Sequence, residues 1–381
     1  MKRLSIAYIT EADPRSKLSW SGTNYYMMSS IERHLGDVTV LGPMRPQPEW
    51  LICQVLNFIS LRLLGKRFNY RDSFFISRGY ARTIHMKLKT KQYDMIIAPS
   101  GTASTASLRT NIPVVYINDR CVANAIDYHP ILTNLFSWSA EESIACEQKA
   151  IEKSVLTVYS SQWAADAAKK MNPRQEDKIT VIPFGANLDT VSDKKIHRTS
   201  EKKLKLLFTG VKWQEKGGDI AFDALLFLLS KNVAAELIIC GCVPPDHVRD
   251  HPAVRAEGFL SKQNTGEYER LLNHFATADF FILPTRFEAY GLVFCEAAAY
   301  GLPSLATRTG GIPSIIEDGK TGFLFDLSAT GKAYGEKMME LMRSPGDYSA
   351  MRANARQRFE SQLNWDAFGS KLRELVSRNF K

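Results

Sequence analysis

Within FEAYGLVFCEAAAYGLP (287–303), the carboxylates Glu288 and Glu296 stand with seven residues between them. Glu288 follows closely on ADFFILPT (278–285), an apolar run that reads as a strand, so it belongs to the loop at that strand's carboxyl end. Gly291 opens the helix-period stretch that comes next. The first N–H groups of a helix lack intrahelical partners and can hold an anion such as a pyrophosphate. Glu296 lies about a turn and a half further along, inside the otherwise apolar VFCEAAAYG. A carboxylate in such surroundings needs a partner. The paired hydroxyls of a ribose could supply two hydrogen bonds, each worth roughly 1.5–3 kcal/mol to a charged acceptor. The plainer alternative makes Glu296 an exposed helix residue and Glu288 a loop charge.

The elements that must position these groups alternate along the chain. LSIAYIT (4–10), DVTVLGP (37–43), YDMIIAPS (93–100), IPVVYIND (112–119), VLTVYSS (155–161) and ITVIPFG (179–185) read as strands, with helix-period stretches between them such as 23–35, 138–154 and 161–171. A polar, charged segment at 188–203 reads as a linker. Alternation then restarts, with strands at 203–210, 236–241, 278–285, 303–308 and 322–326 and helices at 217–232, 267–278 and 290–301. Strand–helix alternation implies a parallel sheet covered on both faces, here twice over, so the expected class is α/β with two similar halves and a cleft between them. Ligands of open parallel sheets bind beyond the carboxyl ends of the strands. That rule selects Ser21, Gly22 and Thr23, then Asp119, then Gly210, Lys212, Lys216, Gly217 and Gly218, and finally Thr309, Gly310 and Gly311. Asp119 has an alternative role as a helix cap.

Composition narrows the classes further. The formal charge of +9 favours anionic partners, but no RNP sequence, zinc finger or basic stripe interleaved with aromatics accompanies it, so nucleic acid is not the expected partner. The six cysteines are scattered, without CxxC spacing, and read as buried small hydrophobes. The opening MKRLSIAYIT runs into a strand pattern without a cleavage signature, which points to a reducing, cytoplasmic setting. DGKT (318–321) lacks the Gly of a Walker A loop, since position 314 is Ser, and neither GxGxxG after the first strand nor GxSxG is present. WLICQVLNFISLRLLGKRF (50–68) is apolar but interrupted by Gln54, Asn57, Ser60 and Arg62, which argues against a transmembrane span. It reads either as a core or subunit-contact helix, or as a surface helix whose Lys66 and Arg67 meet acidic lipid headgroups.

The E-x7-E pair resembles the signature of retaining glycosyltransferases of glycosyltransferase family 4, and the resemblance extends over nearly the whole chain. VIPFGANLD (181–189), FTGVKWQEKGGDIAFDAL (208–225), TGGIPSIIEDGKTGFLF (309–325) and NARQRFESQLNW (354–365) are similar to family blocks in order and spacing. The resemblance implies a GT-B fold of two Rossmann-like domains whose parallel sheets face a central cleft. The expected division is an acceptor-side domain at 1–187, the linker at 188–203, a donor-binding domain at 204–355 and a C-terminal helical segment at 356–381 that packs back on the first domain. It further implies that Glu296 holds ribose hydroxyls, and that Glu288, with the backbone of Ala289, Tyr290, Gly291 and Leu292, holds the transferred sugar. Lys216 would neutralise the pyrophosphate, supported by Gly210 and Lys212, as a fixed cation aimed at developing negative charge should. Ser21, Gly22 and Thr23 would serve the acceptor or phosphate side. Members commonly carry Arg directly after the glycine that ends the strand, where this chain has Val211, then Lys212. They also commonly carry a Gly-Gly pair where this chain has Ser21-Gly22, and a His where it has Asp119, which the resemblance sets beside Glu288 and Lys216 as a catalytic candidate that orients the acceptor hydroxyl or contacts the donor sugar. The implied activity is hexosyl transfer from a UDP- or GDP-sugar to a carbohydrate, lipid-linked or small hydroxyl acceptor. It would proceed with retention and without metal, at the cytoplasmic face, in cell-surface glycan synthesis. The competing readings are a nucleotide-sugar enzyme with another outcome, such as epimerisation, and a non-catalytic partner subunit.

Overall fold

The computed structural model describes residues 3–44, 47–189 and 203–379. The chain folds as two compact units, Met1–Pro183 with Phe368–Lys381, and Phe184–Ala367. Most of the sequence-predicted linker, 190–202, lies outside the described residues.

The first unit carries β1 (Leu4–Tyr8), β2 (Gly36–Val40), β3 (Met95–Pro99), β4 (Val114–Asn118), β5 (Leu156–Tyr159) and β6 (Ile179–Val181). They form one parallel sheet in the order β2-β1-β3-β4-β5-β6. Its helices are α1 (Thr23–His34), α2 (Gln47–Leu64), α3 (Phe74–Leu88), α4 (Thr102–Ala106), α5 (Val122–Ala125), α6 (Ser137–Lys153) and α7 (Gln162–Met171). Strands β3, β4 and β5 are buried at every position, the near-continuous apolar reading of strands covered on both faces.

The second unit carries β7 (Leu204–Thr209), β8 (Ala235–Cys240), β9 (Val254–Gly258), β10 (Phe280–Leu283), β11 (Ser304–Thr307) and β12 (Gly322–Phe325), again all parallel, in the order β12-β11-β10-β7-β8-β9. Its helices are α8 (Gly218–Ser230), α9 (Asp246–Arg249), α10 (Thr265–Thr277), α11 (Leu292–Ala299), α12 (Gly331–Arg343) and α13 (Pro345–Ser361). A last helix, α14 (Trp365–Asn379), passes into the first unit at Phe368. There it crosses close to α1, because a Cβ at Gly369 would collide with Ser30 Oγ and His34.

Strand β9 is absent from the sequence reading. Its residues VRAEG are polar and partly exposed at the edge of the sheet, so no apolar alternation marks it. The six cysteines are buried free thiols, as their scattered apolar settings suggest.

In each sheet the strand order reverses at one point. In the second it lies between β7 and β10, which are neighbours although β8 and β9 intervene in sequence. Loops leaving two such strands turn to opposite faces of the sheet and open a crevice at their carboxyl ends. The loops that leave β7 and β10 are the ones carrying Lys216 and Glu288.

Candidate functional site

The loop after β7 is short and tightly built. Gly210 ends the strand with its N–H on Cys240 O at 2.9 Å. Trp213 packs on Gly218, where a Cβ would penetrate the indole ring, and its Nε1 donates to Asp219 Oδ1 at 2.6 Å. Gly217, at φ 73°, caps α8 in the left-handed region, and a Cβ there would collide with Pro284 O. Only glycine meets both demands at once. The adjoining Lys216 is thereby turned toward the β10 loop. Arg286 N–H donates to Glu215 O at 2.9 Å, and Thr285 Oγ1 donates to the same carbonyl at 3.3 Å, fastening the two loops together.

Across that junction Lys216 Nζ donates to Glu288 Oε2 at 2.6 Å, with both side chains 18% exposed. The ammonium also lies 5.7 Å from the centre of the Phe287 ring. Partial burial strengthens such a pair relative to a solvated one, while leaving both groups reachable by a ligand. Lys212, by contrast, points outward and pairs with its neighbour Glu215 at 2.7 Å.

Gly291, at φ 101°, is the N-cap of α11, and the helix starts at Leu292. Its preceding residues are held from behind: Tyr290 is buried and its hydroxyl donates to Phe184 O at 2.9 Å. Cys295 Sγ reaches the same carbonyl at 3.6 Å, and burial pushes that thiol up to about 12. Gly311 N–H donates to Glu288 O at 3.3 Å, so the β11 loop, with Thr309 and Gly310, joins the same cluster. Ala289 lies between the fixed positions 288 and 290.

Glu296 is buried in α11, and its carboxylate receives Lys262 Nζ on Oε1. Lys262 also donates to Asn187 O at 3.1 Å. The partner that Glu296 needs carries no local signal in the sequence, because Lys262 sits in the loop after the polar edge strand β9.

In the first unit the loop after β1 has an unusual backbone. Trp20, Ser21 and Gly22 have φ of 49°, 55° and 89°, three left-handed residues in a row of which two carry side chains. For Trp20 and Ser21, which carry side chains, such a conformation costs about 1 kcal/mol or more each and persists where surrounding structure enforces it. Trp20 Nε1 donates to Asp119 Oδ2 at 3.1 Å, joining this loop to the one after β4, and α1 starts at Thr23, which is fully buried. Asp119 therefore anchors an indole from another loop, an arrangement distinct from a helix cap. Arg120 beside it lies 3.4 Å from Asp72 through Nη2, while its buried Nη1 has no hydrogen-bond partner.

The β4 loop is set by Glu147, a residue outside the sequence-predicted site. Glu147 of α6 is fully buried and accepts from Tyr116 OH (2.9 Å), Tyr159 OH (2.9 Å), Val122 N–H (2.6 Å) and Cys121 Sγ (3.3 Å). The signal was present. Ser143, Cys146, Glu147, Ala150 and Ile151 share the helix-period inner face of α6, so Glu147 occupies a core position. Burial pushes its carboxyl above the usual glutamate range, and the donors around it pull the other way without cancelling the rise. A carboxyl whose pKa is raised by folding contributes most below its unfolded value, near pH 4.3. That contribution is lost as pH climbs through the folded value. The stability of the wild type minus that of Glu147→Gln should therefore decline as pH rises from the unfolded value, about 4.3, through the raised folded value toward neutrality. Urea unfolding across that range checks this, and a flat or rising difference would contradict it.

The family described as Glycosyl transferases group 1 matches residues 189–358, which span Lys216, Lys262, Glu288 and Glu296. A sucrose synthase from Denitrovibrio acetiphilus is 38% identical over 117 residues, 30% of this chain and 14% of that protein. A D-inositol 3-phosphate glycosyltransferase from Corynebacterium jeikeium is 24% identical over 253 residues, 60% of this chain and 59% of that protein. The chain thus spans less than two thirds of the length of these relatives. Among solved structures, HepE of Anabaena in complex with UDP superposes with a TM-score of 0.66 at 16% identity, covering 98% of this chain and 100% of that one. At this identity the likeness shows the fold, which is of the GT-B type.

Proposed function

We propose that this chain, whose residues 189–358 match the family described as Glycosyl transferases group 1, transfers a hexosyl group from a nucleoside diphosphate sugar to a hydroxyl acceptor. The observation that carries the reading is the Lys216–Glu288 pair, held at 2.6 Å where the strand order reverses. In the reaction the bond from the sugar's anomeric carbon to the diphosphate breaks, a bond from that carbon to the acceptor oxygen forms, the acceptor's proton passes to the departing diphosphate, and negative charge grows on that diphosphate as it leaves. Lys216 is a cation fixed in advance beside that charge, the arrangement that lowers such a barrier most. The start of α11 after Gly291 adds unpaired N–H groups to the same anion. Glu288 exchanges its contact with Lys216 for hydroxyls of the sugar, and Glu296 takes the ribose.

The rest of the proposal follows the family resemblance. Transfer proceeds with retention of configuration. The donor is a UDP- or GDP-sugar, and UDP is bound by the HepE neighbour. The acceptor is a carbohydrate or a lipid-linked or small hydroxyl compound, with Ser21, Gly22, Thr23 and Asp119 on its side. The setting is cell-surface polysaccharide or glycoconjugate synthesis, with the enzyme on the cytoplasmic side and peripheral on the inner membrane face. No metal takes part, because Lys216 and the α11 start supply the positive potential.

The test is release of nucleoside diphosphate from a panel of UDP- and GDP-sugars with excess chelator. Release that depends on acceptor and persists in chelator is expected. Epimerised donor without release would favour the nucleotide-sugar enzyme of another kind, and donor binding without turnover would favour a non-catalytic partner. Loss of nucleotide binding on chelation, read by calorimetry, would overturn the metal-free part.

A further inference from the structure

Helix α2 is fastened to its unit along one narrow stripe. Trp50 and Cys53 are 5% and 6% exposed, and Asn57 and Ser60 continue the same line at helix spacing. Asn57 Oδ1 accepts from Phe68 N–H at 2.9 Å, and Ser60 Oγ donates to Lys66 O at 2.8 Å. The remaining circumference is apolar and exposed: Leu51, Ile52, Val55, Leu56, Phe58 (67%), Ile59, Leu61, Leu63 (77%) and Leu64. On a helical wheel Val55 and Arg62 mark the middle of this outward face, diametrically opposite the stripe. Surface helices normally turn their apolar side to the core and their polar side to water, whereas α2 buries Trp50 and Cys53 and leaves most of its apolar side chains outward. The core-helix reading of this segment is therefore excluded. An apolar surface extending along a helix about 27 Å long is larger than a soluble monomer ordinarily leaves in water.

The surroundings of that face are basic and aromatic. Over residues 47–71 the sole acid is Glu49, which pairs with Arg82, whereas Arg62, Lys66, Arg67 and Arg71 are basic. Lys66 Nζ sits 5.7 Å from the centre of the Phe136 ring. Phe136 stacks on Trp138 at 5.9 Å, and Trp138 on Phe68 at 6.0 Å, with Trp138 itself exposed. Apolar side chains in the middle, with Trp, Lys and Arg at one end, match the boundary between acyl chains and anionic headgroups. Among the described residues no helix is long and apolar enough to cross a membrane, so α2 lies on the surface and does not span it.

We infer that α2 is a lipid-docking helix, its Leu51–Val55–Phe58–Ile59 face entering the headgroup boundary of an anionic bilayer while Arg62 and Lys66 meet the lipid phosphates. The inference deepens the peripheral placement proposed above and rests on it, but not on the sugar chemistry. A second copy of the chain fits the pattern less well, because pairing two such faces would bury Arg62, which marks the middle of the face, while the one acid of the segment, Glu49, is already paired with Arg82.

Flotation of the full chain with vesicles decides it, without any sugar donor present. Binding to vesicles carrying phosphatidylglycerol, little binding to phosphatidylcholine alone, and a fall on adding salt are expected. Removing one basic residue near the surface lowers affinity about fivefold, so Arg62→Gln with Lys66→Gln should cost about 25-fold. Val55→Ser, Phe58→Ser and Ile59→Ser together should abolish flotation while leaving the thermal midpoint intact, since these residues touch solvent. No binding to anionic vesicles at low salt, or unchanged binding by the triple variant, would overturn the inference. So would a concentration-dependent dimer in vesicle-free sedimentation that the triple variant abolishes, which would make this face a contact between copies. None of these failures bears on nucleoside diphosphate release, so the transferase reading is judged separately.

Discussion

Lys216→Ala should lower kcat by on the order of 10²–10³-fold, the loss seen when one fixed donor to developing negative charge is removed. Its effect on stability should be small. The Lys216–Glu288 pair is reachable by water at both side chains, so the carboxylate left behind can be hydrated and the cost should be on the order of 1–2 kcal/mol. The contrast between a large kinetic effect and a small thermal one separates catalysis from scaffolding. Lys212→Ala supplies the comparison within the same loop. Its ammonium is well exposed and already paired with Glu215, so its removal should change turnover about fivefold at most. Steady-state kinetics with a saturating donor, run beside thermal unfolding, reads both. Equal losses for the two lysines would mean that the loop needs positive charge in general, and the role assigned to Lys216 would fail. Lys216→Arg should recover little of the activity. The pocket formed by Gly210, where a Cβ would come within 2.9 Å of Lys216 Cγ, fits the slender lysine stem, and a planar guanidinium is not equivalent to a point charge.

Much of this site was legible because strand ends announce themselves. FFILP and LLFTG are apolar runs closed by turn residues, and parallel-sheet logic places Glu288, Gly291 and Lys216 beyond such ends. The left-handed conformations of Gly217 and Gly291 are the physical reason that those glycines appear as signals. Lys262 was not legible. It follows a polar edge strand, and its ion pair with Glu296 spans 34 residues, a separation that no local pattern encodes. Glu147 could have been read, since a glutamate at an inner helix position asks for a partner, but its donors Tyr116 and Tyr159 come from β4 and β5. Helix α2 shows a different limit. Its composition is equally compatible with a core and with a surface, and only the position of Trp50 and Cys53 against the unit settles which side faces out. The pairing of Trp20 with Asp119 depends on a strained loop whose sequence, SWSGT, carries one glycine for three left-handed positions.

Glu296→Ala should weaken nucleotide binding by roughly 2–4 kcal/mol, the value of two hydrogen bonds to a charged acceptor less some reorganisation. The structure makes the expectation more specific than the sequence could. Glu296 is 7% exposed at its side chain, and Lys262 already occupies Oε1, so the ribose is offered the other oxygen. Removing the carboxylate also leaves Lys262 with Asn187 O as its remaining described contact, and the ammonium is then free to turn toward the nucleotide's phosphates. Part of the loss in Glu296→Ala should therefore be regained through that attraction. A double-mutant cycle exposes this. Lys262→Met alone should weaken UDP or GDP binding by leaving Glu296 buried without its cation, and in the Glu296→Ala background it should weaken binding further by removing the attraction that had regained part of the loss. Calorimetry on the free nucleotides, without any sugar, reads the cycle directly. Glu288→Ala serves as the internal reference, since its partner is the transferred sugar: turnover of the sugar nucleotide should collapse while affinity for free UDP or GDP changes little. An unchanged dissociation constant in Glu296→Ala would remove the ribose from that carboxylate. Strict additivity with Lys262→Met would show that the two residues act on the nucleotide independently, despite the ion pair that joins them.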